Sequence, residues 1–203
     1  MIRQQPMARV PAVVLSLGSP LLRTVCTPVA ASELHSVAFA QETAQLTATL
    51  EAFRATHGFG RGIAAPQIGI TKRFLALNLG DGPRVLINPT ITRWSKDTFT
   101  MWDDCMCFPD LLVKVRRHAS IEVAFSDEVG NVQVWQHLDR PTSELLQHEI
   151  DHLDGLLATD RALGQPHTMG ANELLAAFPD VIIARDAFEA NKPTFMAMVD
   201  YTI

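Results

Sequence analysis

The sequence predicts an α+β protein in which short antiparallel and mixed strands pack around one central helix. Two patterns carry this expectation. Residues 141–155 place Leu145, Leu146, Ile150 and Leu153 in an apolar stripe at helical spacing. Between residues 74 and 135, short apolar and β-branched runs alternate with turn signals. At 203 residues with 47% hydrophobic residues, the chain can build a proper core and fits one domain, residues 1–203.

In chain order, residues 14–29 mix a short apolar run with Gly and Pro and read as an irregular lead-in, Cys26 being a small packing residue. From about Ser32 to His57 the spacing of Leu46, Leu50 and Phe53 predicts a helix stopped by Gly58. Residues 58–69, Gly-Phe-Gly-Arg-Gly-Ile-Ala-Ala-Pro-Gln-Ile-Gly, require backbone that bends sharply or comes close to something. They lack the lysine and Ser/Thr pair of a phosphate loop, so a structural turn is the competing reading.

Strands are expected at Phe74–Asn78, Val85–Asn88 and Ile91–Trp94, with Asp81-Gly82 turning the first pair as a hairpin. Others are expected at Leu111–Arg117, through Ile121, Val123 and Phe125, and at Val132–Trp135 after a turn at 127–131. The central helix has Pro141 at its start and Gly155 as its stop. In the last forty residues, helices at 172–178 and 181–190 flank Pro179, and residues 195–203 form a final strand.

The net charge of −5 and the absence of a basic stripe argue against nucleic-acid binding. No apolar run approaches the roughly 20 residues that cross a bilayer. A cytoplasmic protein is expected, with organellar import as the alternative left by the early Arg residues. Three cysteines, 26, 105 and 107, are too few for a disulfide framework.

The chemistry gathers on Gln147-His148-Glu149-Ile150-Asp151-His152-Leu153-Asp154-Gly155. One helical turn separates His148 from His152, so both imidazoles can reach one metal ion, with Glu149 beside them. The competing reading is an amphipathic core helix whose histidines are simply hydrogen-bonded. With Cys105 as third ligand, the set leaves an open position, as catalytic sites do. Glu149 is then placed to move a proton, while Gln67 and a backbone N–H near Met106 are candidate oxyanion donors.

Gly60-Arg61-Gly62-Ile63-Ala64-Ala65-Pro66-Gln67, Asp103-Asp104-Cys105-Met106-Cys107 and the histidine helix resemble, in order and spacing, the three motifs of peptide deformylase. Gly18-Ser19-Pro20-Leu21-Leu22-Arg23 and Asp160-Arg161 resemble that family too, so the likeness covers a core of about residues 14–161 and leaves 162–203 as an extension. The resemblance implies removal of the N-formyl group from the initiating formyl-methionine of new polypeptides, including nascent chains at the ribosome, with formate as product. It implies one divalent ion per chain, iron(II) or in exchange zinc, nickel or cobalt, on Cys105, His148 and His152. It also implies that Glu149 is the general acid/base, that Gln67 and the Met106 N–H hold the oxyanion, and that the Gly62 backbone holds substrate.

The second motif departs from the family's Glu-Gly-Cys-Leu-Ser. Asp103 is expected to pair with Arg117 and orient the site; Asp104, in place of glycine, tolerates left-handed backbone better than most residues and brings charge to the substrate rim. Cys107, in place of serine, is expected to pack, with metal ligation or oxidation as sharper readings. Arg61 stands where the family has an aliphatic residue; it either reaches solvent or enters the cleft and favours acidic formyl substrates. A deformylase-like enzyme of other amide specificity, a zincin-like peptidase and an inactive peptide-binding relative are the alternatives.

Overall fold

The computed structural model describes residues 10–163 and 180–202. A five-stranded sheet runs in the order β1 (Gly62–Ala64), β2 (Phe74–Asn78), β3 (Pro83–Trp94), β6 (Ile121–Ser126), β7 (Val132–Trp135). A three-stranded sheet holds β4 (Thr98–Asp104), β5 (Leu111–His118) and β8 (Ile182–Ala184). Among the described residues every strand pair is antiparallel, and parallel pairing is confined to isolated bridges at Thr27–Lys72 and Met101–Tyr201. The expected mixed strands are therefore replaced by antiparallel ones.

Period-two alternation explains why the larger sheet is buried on both faces. Leu75, Leu77 and Leu86 point to one side and meet Leu145, Leu146, Ile150 and Leu153 of helix α2 (Arg140–Leu153). Phe74, Ala76, Val85 and Ile87 point to the other and meet Phe39, Leu46 and Leu50 of helix α1 (Val37–His57). Helix α2 also packs against β5 of the smaller sheet, so it is the element common to both sheets. Its residues from Ser143 to Leu153 are all buried.

Local chemistry sets the helix ends. The Ser36 hydroxyl caps α1 by accepting from the Phe39 N–H at 3.1 Å, which starts that helix later than Ser32. The Asp139 carboxylate caps α2 by accepting from the Thr142 N–H at 3.0 Å, which puts Pro141 one residue inside the helix. Gly155 follows at φ 72°, where a Cβ would stand 2.6 Å from the Arg23 carbonyl, so both backbone and space demand glycine.

Several expectations change. The two runs at 85–94 are one strand, because Pro89 falls at a register shift between Ile87 and Thr90 and Asn88 takes φ 53° there. Strands β1 and β4 lie where the sequence showed a glycine turn and a polar motif; each is stabilised by its neighbour, β2 and β5. Near the end, Ile182–Ala184 add a strand to β5, and only then do α3 (Arg185–Ala190) and α4 (Lys192–Met196) follow. Val181–Ala190 is thus not one helix, and 195–202 is no strand, since Tyr201 makes a lone bridge to Met101. The helix expected at 172–178 lies outside the described residues. No helix among the described residues is long and apolar enough to cross a membrane.

Candidate active site

Helix α2 presents His148 and His152 one turn apart, and their Nε2 atoms lie 3.2 Å from each other. The turn after β4 brings the Cys105 Sγ to 3.3 Å from His152 Nε2. A tetrahedral ion with bonds of about 2.0–2.1 Å to nitrogen and about 2.3 Å to sulfur holds two nitrogens roughly 3.3 Å apart and nitrogen and sulfur roughly 3.6 Å apart. The two edges that meet at His152 Nε2 suit such a set, and the Cys107 sulfur also lies within 4.8 Å of the Cys105 and His152 donor atoms. Buried beside it, Glu149 Oε2 and His152 Nδ1 have no hydrogen-bond partner among the described residues.

An ion-pair chain orients His148. Its Nδ1 lies 3.0 Å from Asp103 Oδ1, which leaves Nε2 to face the other donors. Arg117 binds Asp103 at 2.9 Å and Asp151 at 2.6 Å, and Arg161 closes on Asp151 at 2.7 Å. The expected Asp103–Arg117 pair is therefore present, extended by two residues the sequence reading did not pair. Burial alone would raise the Asp103 pKa, but His148 and Arg117 together hold it well below the usual carboxylate range. Burial would likewise lower His148, and the Asp103 charge raises it to about 9. Burial, then the neighbouring His148 charge, keep His152 well below its ordinary value, so it stays neutral, as a ligand must be. Burial raises the Cys105 thiol in the metal-free site.

Glu149 is buried, and desolvation raises its pKa to about 7. Its carboxylate rests against β1: a Cβ on Gly62 would stand 2.7 Å from Glu149 Oε1. Gly60, at φ 105°, similarly makes room for Met106, whose Cε a Cβ would meet at 2.6 Å. The glycine-rich segment is thus the wall against which the catalytic candidates pack. Gln67 follows in a short 3₁₀ turn, Ala65–Ile68. Its Oε1 accepts the Ala64 N–H at 2.7 Å, which turns the amide nitrogen toward the sulfurs, 3.5 Å from Cys107 and 3.9 Å from Cys105.

Gly60, Gly62, Gln67, Cys105, His148 and Glu149 line a cleft of about 400 Å³ together with Met106, Arg61 and Asp104. Arg61 lies in the cleft wall instead of reaching free into solvent. Its guanidinium pairs with the buried Glu144 carboxyl and donates to the Pro141 carbonyl at 3.1 Å, so its donors are already engaged. Direct pairing with acidic substrates loses its basis. Asp104 is extended in β4, with no left-handed backbone, and its charge is matched by Arg185 at 3.0 Å. Cys107 lies in a turn, not in an extended segment, yet remains beside Cys105, donating its N–H to that sulfur at 3.4 Å.

Sequence reasoning missed Glu144, which sits one turn before His148 on the same helix, a spacing that was visible. It also missed the far end of the chain. Arg185 stacks its guanidinium 4.4 Å over the Phe59 ring and donates to the Pro109 carbonyl at 2.6 Å, while Phe188, Lys192 and Met196 continue the cleft wall. No motif marked these positions.

Residues 11–166 match the family model described as polypeptide deformylase. A peptide deformylase of Thermotoga maritima is 34% identical over 146 residues, 71% of this chain and 82% of that protein. The crystal structure of a peptide deformylase from Synechococcus elongatus in complex with actinonin superposes with a TM-score of 0.70 at 30% identity, covering 89% of this chain and 91% of that one. A Met-Ala-Ser-bound deformylase from Acinetobacter baumannii gives 0.65 at 29% identity, covering 75% and 99%. The peptidase alternative is not the family matched. Sequence, fold and the cleft built on helix α2 converge, and the chain belongs to the polypeptide deformylase family.

Proposed function

We propose that this chain is a metal-dependent hydrolase that removes the N-formyl group from formyl-methionine at the start of newly made polypeptides in the cytoplasm, nascent chains at the ribosome included. The observation that carries the reading is the approach of the Cys105 sulfur and of His148 Nε2 to His152 Nε2, with Cys105, His148 and Glu149 lining the cleft. These three residues would hold one divalent ion, iron(II) by resemblance, with zinc, nickel or cobalt compatible with the same sulfur and nitrogen donors. When bound, that ion supplies Lewis acidity, which polarises the formyl carbonyl and makes water nucleophilic near neutral pH.

In this reading Glu149 accepts a proton from the attacking water and delivers it to the amine nitrogen as the C–N bond breaks, giving formate and a free amino terminus. A pKa near 7 suits a group that must do both. The Gln67 amide and the Met106 backbone N–H donate to the oxyanion, and the Gly62 backbone runs beside the extended substrate. Asp103 fixes the His148 tautomer, and Arg117 holds Asp103.

The test is formate release from formyl-peptides by anaerobically metal-loaded wild-type, Glu149→Ala and Glu149→Gln proteins. Release by the wild type and its near abolition in both variants, at equal metal content, is the expected outcome. A metal-loaded wild type that releases no formate from any formyl-peptide overturns the reading.

A further inference from the structure

The turn after β4 carries two thiols, and the reaction proposed above uses only one of them. Cys105 lines the catalytic cleft, so a solute as small as hydrogen peroxide can approach its sulfur from that side. Cys107 stands two residues on, buried, in the wall of a second cavity bordered by Val14, Thr49 and Phe53. The Phe108 N–H closes the turn on the Cys105 carbonyl at 3.1 Å, and the Cys107 N–H donates to the Cys105 sulfur at 3.4 Å. Both thiols are free, and their sulfurs lie within 4.8 Å of each other. Backbone spans at most about 3.6 Å per residue, so residues two apart in a turn keep their Cα atoms inside the roughly 7 Å limit for a bridge. The third cysteine, Cys26, packs in a different part of the core, with Leu75, Ile150 and Leu153.

We propose that Cys105 and Cys107 form a peroxide-driven, thiol-reversible disulfide, with Cys105 as the sulfur first oxidised and Cys107 as the one that resolves it. A peroxide oxygen adds to the Cys105 thiol, giving a sulfenic acid as the O–O bond breaks and water leaves. The Cys107 sulfur then attacks the Cys105 sulfur, the S–O bond breaks, and the oxygen departs with the Cys107 proton as a second water. Two thiols and one peroxide thus become one disulfide and two waters, the sulfurs being oxidised and the peroxide reduced. The consequence rests on the metal ligation proposed for Cys105: a bridged sulfur is no longer a thiolate donor, so metal binding and hydrolysis are lost together. Reduction by a small dithiol restores both thiols, and with them the site. A serine at position 107 could not resolve the sulfenic acid, which would go on to sulfinic and sulfonic acids that no thiol reverses.

The test treats the intact zinc-loaded protein with hydrogen peroxide, zinc itself being redox-inert. Digestion with trypsin puts Cys105 and Cys107 together in residues 97–114 and Cys26 apart in residues 24–54. After denaturation and thiol alkylation, the oxidised wild-type 97–114 peptide is expected to be unalkylated and two hydrogens lighter than its dithiol form, with zinc released to a chromogenic chelator. Dithiothreitol is expected to return both alkylatable thiols and zinc binding. Cys107→Ser and Cys107→Ala are expected to lose zinc too, but to gain two or three oxygens at Cys105 and not to recover. A wild-type peptide in which Cys107 remains alkylatable, a bridge to Cys26 or between chains, or Cys107 variants that recover as fully as the wild type, overturns the proposal. The mass and zinc readouts need no turnover. A wild type that forms the bridge but releases no formate from any formyl-peptide sinks the deformylase reading alone, and one that releases formate but ends as a Cys105 sulfinate sinks only the disulfide.

Discussion

Gly62 and Glu149 share one space: any Cβ at residue 62 would fall 2.7 Å from the Glu149 carboxylate oxygen and 2.9 Å from its Cγ. Gly62→Ala is therefore expected to push the carboxylate off its position. Displacements of about 1 Å at a reacting group cost on the order of 10²-fold in rate. The expected result is a fall in kcat of that size with metal content unchanged, read by formate release and metal analysis. An unaltered kcat would show that Glu149 tolerates the shift.

Asp103→Asn removes the charge that holds the His148 ring. Loss of such a partner typically weakens metal binding about 10–100-fold. Competition with a chromogenic chelator measures this, and wild-type affinity in the variant would remove Asp103 from its orienting role.

Arg117→Met leaves Asp103 and Asp151 facing each other without the cation between them. Both carboxylates and the arginine are largely buried, and stripping one partner from a buried pair costs about 3–5 kcal/mol. Denaturant unfolding of the metal-loaded proteins is expected to show a destabilisation in that range. Arg161 pairs with Asp151 from its more exposed side, so Arg161→Ala is expected to cost much less.

Glu144 gives a pH dependence of defined sign. Burial raises its pKa from 4.5 to about 7 despite Arg61. In the unfolded chain it ionises first, so between those values the folded state binds more protons and stability falls as pH rises. Its share is on the order of 3 kcal/mol, fully present below the unfolded pKa and lost by pH 7. Glu144→Gln is expected to flatten part of the decline in unfolding free energy across pH 4.5–7, Glu149 contributing to the remainder. An identical slope in the variant would contradict this.

What the sequence made legible was the part with local periodicity or fixed spacing. Helix α2 and its two imidazoles were readable because Leu145, Leu146, Ile150 and Leu153 repeat at 3.6 residues. Asp103 could be paired with Arg117 only through the likeness of residues 103–107 to the family's second motif. Strand β4 was hidden, since Thr98-Phe99-Thr100-Met101-Trp102-Asp103-Asp104 owes its conformation to β5 and half of its polar groups to the site. The partners of Arg61 and Asp104 were also out of reach. A charge reads as free in one dimension, and only the tertiary fold supplies Glu144, 83 residues away, or Arg185, 81 residues away.

The arm from β8 through α4 has a practical meaning for inhibitor selectivity. Arg185, Phe188, Lys192 and Met196 lie beyond residues 11–166, the span that matches the family, yet they form part of the cleft wall. A compound anchored on Cys105, His148 and Glu149 would meet the part of the cleft that lies within the matched span. One extended toward the Arg185–Phe59 stack and Phe188 would meet surfaces supplied by this chain's own carboxyl-terminal arm. Discrimination between this protein and any relative that lacks such an arm is therefore to be sought at the outer wall of the cleft, far in sequence from the histidine helix.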